Sequence, residues 1–324
     1  MSDRGGLVCA YALDGSGGAK PLDWEQVRQW SPKAGVLWVH LDYSDEAARK
    51  WLWEESGLDE LVVEALLAEE TRPRSAVIQD KLLVTLRGVN LNPGADPEDM
   101  VAIRLWVEGN RIISTRHRRL LAVEDLRKEL AAGSGPKTPG EFLVDLIGRM
   151  VARMSNVIDT IDDSADALEE EVLTAESYEL RAKISHLRRQ VVSIRRYLAP
   201  QREAMARLYT DQVSWIDEKA RMRLRELADR TTRYVEDLDS ARDRAGVTHE
   251  ELLSRLSEQL DKRMYLLSMV AVIFLPLGFL TGLLGINVAG IPGAEYPQAF
   301  AIVCLIVGVV VVAMLSYFKH KKWF

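Results

Sequence analysis

The stretch LLSMVAVIFLPLGFLTGLLGIN, residues 266–287, decides the fold of this chain. Residues 266–285 carry no charged side chain, and at about 1.5 Å per residue such a helix is about 30 Å long, the thickness of a bilayer's hydrocarbon core. A second uncharged run, residues 299–318, follows after a short loop. The two runs predict a transmembrane hairpin at the end of the chain, preceded by a large soluble region.

The charges that flank the two runs orient this hairpin. Lys and Arg residues precede the first run and follow the second, whereas the loop between them has neither; these basic residues are Lys262, Arg263, Lys319, Lys321 and Lys322. The excess of positive charge on one side predicts that both termini are cytoplasmic. The first eighteen residues contain no apolar core, so no cleaved signal peptide is expected.

The soluble region is acidic. The net charge of the chain is -6, and all but one of its 48 Asp and Glu residues precede residue 263. Such a region argues against nucleic acid as a partner and is compatible with cations. The two cysteines, Cys9 and Cys304, lie far apart in sequence, so no disulfide is expected and a reducing compartment fits.

Residues 1–140 predict a cytoplasmic α/β domain. Its strand segments are apolar or alternating runs, rich in β-branched and aromatic residues, which cover residues 7–14, 36–43, 75–90 and 101–116. Turn residues such as Asp14-Gly15 and Asn92-Pro93-Gly94 separate them, and Glu108-Gly109-Asn110 divides the last run. Short helices are expected between and after the strands, over residues 44–56, 58–68 and 120–132.

Residues 141–262 predict a region of long helices that forms a stalk before the hairpin of residues 263–324. Three helices are expected, over residues 141–172, 177–209 and about 217–285, with Pro200 as a kink in the second. Apolar residues on the third recur mostly at steps of three or four from Leu224 to Leu267. A helix of that length needs neighbours, which copies of the same chain around a symmetry axis would supply.

No enzyme motif is present in the sequence, which lacks a Walker-type loop, a G-x-G-x-x-G after a strand, an H-E-x-x-H and a C-x-x-C. The five histidines are scattered and are interpreted as surface or packing residues, and the basic run 116–119 as a solvated strand end. A run of acids can bind cations but is interpreted first as a solvated helix face; its members are Asp159, Asp162, Asp163, Asp166, Glu169, Glu170 and Glu171. The chain is therefore not expected to be an enzyme.

The residues Gly285-Ile286-Asn287 end the first run at the predicted outer face of the membrane. Elsewhere, Gly-x-Asn at a helix end is a C-cap. Here the Asn287 amide oxygen and the last helix carbonyls, at the negative end of the helix dipole, present acceptors to the outside. A ring of such ends around an axis would receive a hydrated cation, and Glu295 in the loop adds a negative charge.

The large α/β domain, the very long helix, the two C-terminal runs and Gly-x-Asn after the first run together resemble the CorA family of divalent-cation transporters. Within it the chain is similar to the ZntB branch of zinc transporters, because it has Gly285-Ile286-Asn287 rather than Gly-Met-Asn, then VAGIPG (288–293), and RGVNLNPGADPEDMVAIRLW (87–106). The resemblance covers nearly the whole chain. It implies a homopentamer in the lipid of a bacterial inner membrane, with a cytoplasmic funnel and a central pore lined by the first spans.

The resemblance assigns Asn287 to a selectivity ring at the outer mouth of the pore, shaped by Gly285. Counting back from Asn287, the pore-lining positions would be Asp261, Met264, Leu267, Ala271, Leu275 and Gly278. Leu267 and Met264 are expected to form a hydrophobic constriction. Magnesium channels of the family typically carry Met-Pro-Leu-Thr where this chain has LPLG (275–278), which weakens a magnesium assignment.

The branch implies zinc as the transported ion, with related transition-metal cations and coupling to protons left open, and no separate cofactor. Zinc prefers imidazole and thiolate ligands, and the predicted pore face offers neither. Zinc therefore either passes hydrated or has a site in the soluble domain. Two alternatives stay open: a magnesium and cobalt channel gated by cytoplasmic cation, and, from a different class, a membrane-anchored scaffold or signalling domain.

Overall fold

A computed structural model describes residues 5–174, 178–285, 293 and 296–320. The chain divides into two compact units, Met1–His249 and Glu250–Phe324. The first unit contains a mixed β-sheet with helices on both faces, followed by long helices. The second unit contains two long apolar helical segments.

The described residues of the first unit form a seven-stranded sheet. Its strands are β1 Leu7–Leu13, β2 Ala19–Pro21, β3 Val36–Asp42, β4 Arg74–Ile78, β5 Lys81–Gly88, β6 Val101–Val107 and β7 Arg111–Arg116. They lie in the order β2-β1-β3-β7-β6-β5-β4, in which β3 and β7 are parallel and the other neighbours are antiparallel. The carboxyl ends of β3, β7 and β5 and the start of β6 therefore meet at one edge of the sheet.

The described residues also form eight α-helices. These are α1 Trp24–Gln29, α2 Glu46–Glu54, α3 Glu60–Leu67, α4 Leu121–Ala132, α5 Pro139–Thr174, α6 Tyr178–Thr210, α7 Glu218–Gly285 and α8 Ala299–His320. Side-chain caps fix the starts of two of the short ones. Asp45 accepts a hydrogen bond from the second backbone N–H of α2, and Asp59 does the same for α3, which satisfies donors that the helix itself leaves free.

Helices cover both faces of the sheet. On one face α1, α2 and α3 pack on an apolar cluster that includes Leu41 of β3, Ile113 of β7 and Trp106 of β6. On the other face Trp38 of β3 is fully buried, and its ring meets Phe142 of α5 edge-on with the centroids 4.8 Å apart. A strand covered on both sides is a near-continuous apolar run, as in residues 36–43. The predicted α/β fold of this region is confirmed.

Two features of the sheet depart from the sequence prediction. The run 75–90 is not one strand, because the turn at Gln79 and Asp80 divides it into β4 and β5. Both residues adopt positive φ, 49° and 64°, the backbone that two-residue hairpin turns favour. The strand β2 and the helix α1, of three and six residues, were also not predicted, since elements that short show no clear hydrophobic period.

The long helices follow their predicted bounds to within three residues, and Pro200 lies inside α6, which continues past it. The predicted apolar face of α5 is buried at Phe142, Leu146, Met150, Val157, Ile161 and Leu168. On α7 the predicted stripe is buried within the first unit, for example at Leu224, Leu238 and Ala245. Amphipathic periodicity is therefore satisfied by packing inside the chain over this part of α7.

The second unit contains the end of α7 and the whole of α8. Both helices are long and apolar enough to cross a membrane, and only 6% and 0% of their most apolar windows are buried. An apolar core helix of a soluble protein would bury most of such a window. The two helices are therefore candidate membrane spans, as the uncharged runs predicted.

Candidate transport site

The predicted pore entrance lies at the end of α7. Gly285 is the last residue of this helix, and a Cβ added there would meet nothing within 4 Å in the single chain. Ile286, Asn287 and Glu295 lie outside the described residues. The assignment of Asn287 to a selectivity ring therefore stays a prediction.

The positions predicted to line the pore share one face of α7. At about 100° per residue they fall within an arc of about 120°; they are Asp261, Met264, Leu267, Ala271, Leu275 and Gly278. All of them are exposed in the single chain, with Met264, Leu267 and Leu275 at 60%, 65% and 75%. Large apolar side chains this exposed, here and on other faces at Leu266 and Val270, indicate contact with lipid or with another protein surface.

The face of α7 that is nearly opposite is the covered one. Met269 is only 7% exposed, and its half-buried neighbours on that face are Ile273, Pro276 and Leu280. A matching covered face on α8 ends at Phe318, which is 4% exposed, and includes Val303, Val307, Val310 and Met314. Within this unit each helix therefore has one face that is more covered, and the predicted pore face of α7 is among the faces left open.

The open face carries few groups that can bind a metal. Asp261 is its one ionisable side chain, and the other predicted pore positions are apolar or glycine. Across the part of the chain that the structure describes, no three His, Cys, Asp or Glu side chains come together as a metal site. Because transition metals bind tightly to imidazole and thiolate, this face suits a cation that keeps its water shell.

Comparison with known families decides what kind of protein carries this site. The model of the CorA-like Mg2+ transporter protein family matches residues 33–320. The chain belongs to the CorA-like Mg2+ transporter family. The predicted resemblance is confirmed, and the coarse function follows: the chain is a CorA-family membrane transporter of divalent cations.

Individual members of the CorA family resemble the chain over nearly its whole length. The divalent cation transporter CmaX of Pseudomonas aeruginosa is 40% identical over 325 residues, 99% of this chain and 98% of that protein. The zinc transport protein ZntB of Yersinia enterocolitica is 34% identical over 316 residues, 98% of this chain and 95% of that protein. These two relatives support the family assignment; the name of one specifies zinc, and the name of the other specifies divalent cations in general.

Solved structures of CorA-family proteins confirm the predicted architecture. The structure of full-length CmaX matches all of both chains with a TM-score of 0.87. The complete CorA magnesium transporter from Methanocaldococcus jannaschii matches 98% of this chain and 99% of its own, with a TM-score of 0.81. At 20% identity the second likeness shows the fold alone.

In this CorA-family chain an arginine of α7 forms ion pairs with the acidic run of α5. The guanidinium of Arg244 lies 2.7 Å from Asp162 and 2.8 Å from Glu169, and it also bonds to Asp166. The sequence identified the run as a solvated face and missed these ion pairs between helices. Arg244 follows its partners by 75 to 82 residues, and only the packing of α7 on α5 brings them together.

Unbalanced negative charge remains beside these ion pairs. Burial raises the pKa of the Asp237 carboxyl on α7, and the nearby carboxylates of Asp162 and Glu236 raise it further. A like charge disfavours ionisation of its neighbour. The helices α5 and α7 therefore present a region that is electrostatically favourable to cations, although its described side chains form no metal-ligand group.

His40 illustrates how the α/β domain treats its buried polar groups. It is fully buried on β3, and its Nδ1 lies 2.8 Å from the Ser114 Oγ. Burial and, to a smaller extent, the positive charges of Arg116 and Arg127 together lower the pKa of the imidazole to about 3. The ring is therefore neutral at physiological pH and acts as part of the core.

Proposed function

We propose that this chain forms a homopentamer in a bacterial inner membrane and moves zinc through a central pore lined by the first span of each copy. The observation that carries the proposal is the open face of α7, which lies nearly opposite the covered face around Met269. Five copies that turn this face to a common axis would bury the exposed side chains of Met264, Leu267 and Leu275. The remaining faces would then contact α8 and lipid.

The proposed topology places residues 1–140 and 141–262 in the cytoplasm and residues 263–324 in the membrane, with both termini cytoplasmic. The basic residues that flank the spans support this orientation. At the outer end, Gly285, Ile286 and Asn287 of each copy would form the pore mouth, with Glu295 beside it. Amide and carbonyl oxygens at such a ring would receive a hydrated cation.

Zinc is the proposed ion because the chain shares Gly285-Ile286-Asn287 with the branch it resembles and is similar to ZntB along its length. The pore face bears no imidazole or thiolate, so zinc would pass hydrated, and an imposed proton gradient could drive it. The same absence of zinc ligands favours a second candidate, a magnesium and cobalt channel gated by cytoplasmic cation. Oxygen-only, water-mediated contacts are the chemistry that Mg²⁺ prefers.

Ion flux distinguishes the two candidates. Purified full-length protein is reconstituted in liposomes that contain a zinc-sensitive dye, and zinc entry is followed with and without a pH gradient and with magnesium as competitor. Zinc entry that rises with the proton gradient and ignores magnesium supports a proton-coupled zinc transporter. Entry that is insensitive to the gradient and blocked by magnesium supports the channel. If zinc does not enter and the protein is a monomer, both candidates are refuted.

The pore face has its own test in two adjacent leucines. Leu266 and Leu267 are 63% and 65% exposed, yet consecutive residues point about 100° apart on a helix. If Leu267 forms the constriction, Leu267→Ser raises ion leak severalfold, because a hydroxyl replaces part of a dewetting barrier. The matched variant Leu266→Ser should leave the leak at the wild-type level. Equal leak through both variants would contradict this orientation of α7.

A further inference from the structure

A polar pocket opens at the edge of the sheet where β3, β5 and β7 end and β6 begins. Its volume is about 150 Å³, which is room for several water molecules or for one small polyatomic ion. Tyr43 follows β3, and His117 and Arg118 follow β7, so both parallel strands deliver lining residues at their carboxyl ends. Ligands of open α/β sheets bind at this end of the strands.

Three guanidinium groups and two carboxylates line the pocket. Arg118 forms an ion pair with Asp99, and Glu69 is exposed to solvent. The other two cations, Arg87 and Arg104, have no carboxylate within 4.0 Å among the described residues. The pocket therefore holds two guanidinium groups that form no ion pair within the described residues, although the Asp99 carboxylate acts on Arg87 from a longer distance.

Arg104 is the more deeply placed of the two, with 1% of its surface exposed. Its Nη2 donates to the backbone carbonyls of Ala68 and Glu69, the second at 3.1 Å. Its guanidinium carbon lies 4.8 Å from the centroid of the Tyr43 ring. Its Nε has no hydrogen-bond partner within the described ranges, so part of this buried cation is unsatisfied.

Arg87 is held in a similar way. Its Nη1 donates to the Met100 carbonyl at 2.9 Å and its Nε to the Thr71 carbonyl at 3.2 Å. The ring of Tyr197 lies 4.0 Å from its guanidinium carbon. Burial lowers the pKa of Arg87 and of Arg104, and the nearby Asp99 carboxylate offsets this only in part for Arg87.

We propose that this pocket binds a small oxyanion of the phosphate class through Arg87, Arg104 and Arg118. Guanidinium groups bind phosphate oxygens with two parallel N–H donors, a geometry that fits several of them around one tetrahedral anion. The anion supplies the direct ion pairs that half-buried Arg87 and buried Arg104 lack among the described residues. Free inorganic phosphate and the terminal phosphate of an ester share this chemistry, and the test separates them.

Ala102 provides a variant that removes no existing contact. It is half-buried, lines the pocket and lies directly across from Arg87 in the β5–β6 register. Paired residues on one face have their Cβ atoms about 5 Å apart, so the carboxylate of Ala102→Glu would sit beside Arg87 and take the place of the anion. Ala102→Gln has nearly the same size without the charge and is the matched control.

The binding measurement is isothermal titration calorimetry on full-length protein in detergent at constant ionic strength, with inorganic phosphate and, separately, AMP. Saturable binding is expected for the wild type and for Ala102→Gln, and at least about tenfold weaker binding for Ala102→Glu and for Arg118→Gln, since each disturbs a charge-assisted contact. Arg188→Gln changes an exposed arginine of α6 outside the pocket and should bind as the wild type.

The result identifies the source of the ligand as well as its presence. Tighter binding of phosphate assigns the pocket to the free anion, and tighter binding of AMP assigns it to a phosphate ester. No saturable binding of either probe overturns the proposal. Equal affinity of Ala102→Glu and Ala102→Gln also overturns it, because the anion would then bind elsewhere.

Discussion

Replacing Arg244 by methionine should weaken the attachment of α7 to α5. Methionine keeps an unbranched side chain and a high helix propensity but has no charge and no N–H donor. The variant therefore removes the ion pairs to Asp162, Asp166 and Glu169 together. It also leaves these three carboxylates facing one another without a cation.

The exposure of the groups sets the size of the effect. The side chain of Arg244 is 27% exposed, and those of its partners are 43% to 64% exposed, so each pair is worth about 0.2–1 kcal/mol. The contributions are not additive because one guanidinium serves all three partners. With the repulsion that remains between the carboxylates, the free energy of unfolding should fall by about 1–2 kcal/mol.

The assay is urea unfolding of the full-length protein in detergent, followed by tryptophan fluorescence. Trp38 and Trp106 are 0% and 3% exposed in the first unit, so their emission reports the unfolding of that unit. The slope rises with protein size, and at about 3 kcal/mol per molar urea, the upper end for small proteins, the midpoint should fall by about 0.5 M.

Arg242→Met is the matched control for this variant. Arg242 is also a partly exposed arginine of α7, but it pairs with Asp239 and Asp243 of its own helix, and its loss should cost about 0.5 kcal/mol or less. The difference between the two variants should shrink in 1 M salt, where charges are screened over about 3 Å. Equal midpoints for the two variants, or a difference that salt does not change, would refute the interhelical role of Arg244.

The remaining predictions concern pH and the pore mouth. The folded-state pKa of His40 is about 3 against about 6.5 for free histidine. Below pH 6.5 only the unfolded chain takes up this proton, so stability should fall by up to about 1.4 kcal/mol per pH unit toward pH 3. The unfolding midpoint should then fall less between pH 7 and pH 5 for His40→Gln than for the wild type. An equal fall in the two proteins would exclude His40 as the source. For the mouth, Asn287→Ala should abolish metal flux in proteoliposomes while leaving the size of the detergent-solubilised complex unchanged. Normal flux through that variant would rule out the selectivity ring.

The sequence predicted those parts of the fold whose hydrophobic period extends over many residues. The helix α5 buries the face that its apolar spacing indicated, from Phe142 to Leu168, because a stripe of that length fits only one orientation of the helix. The strand β3 was equally clear, since burial on both faces makes it apolar throughout. The short helices were predicted to within about two residues, and in the structure the caps Asp45 and Asp59 fix the starts of α2 and α3.

Other features depend on contacts between distant residues, which no local pattern encodes. The turn at Gln79 and Asp80 lacks the Asn-Gly or Asp-Gly pair that marks most such hairpins, so the two strands were merged. The oxyanion pocket joins residues as far apart as Tyr43 and Arg118, and only the strand order brings them together. The local sequence around a single arginine does not indicate which charged side chains lie near it in the fold.

The helix α7 shows why a periodic stripe predicts burial without predicting the partner. Leu224 and Leu238 are buried within the first unit, whereas Met264 and Leu267 continue the same spacing and stay more than half exposed in the second. The sequence treated these residues as one continuous stripe, because their chemistry and intervals are alike. The cost of leaving large apolar side chains uncovered applies to both parts. Lipid or further copies of α7 must therefore cover the side chains that the single chain leaves exposed. The difference in ion leak between Leu266→Ser and Leu267→Ser decides between these two.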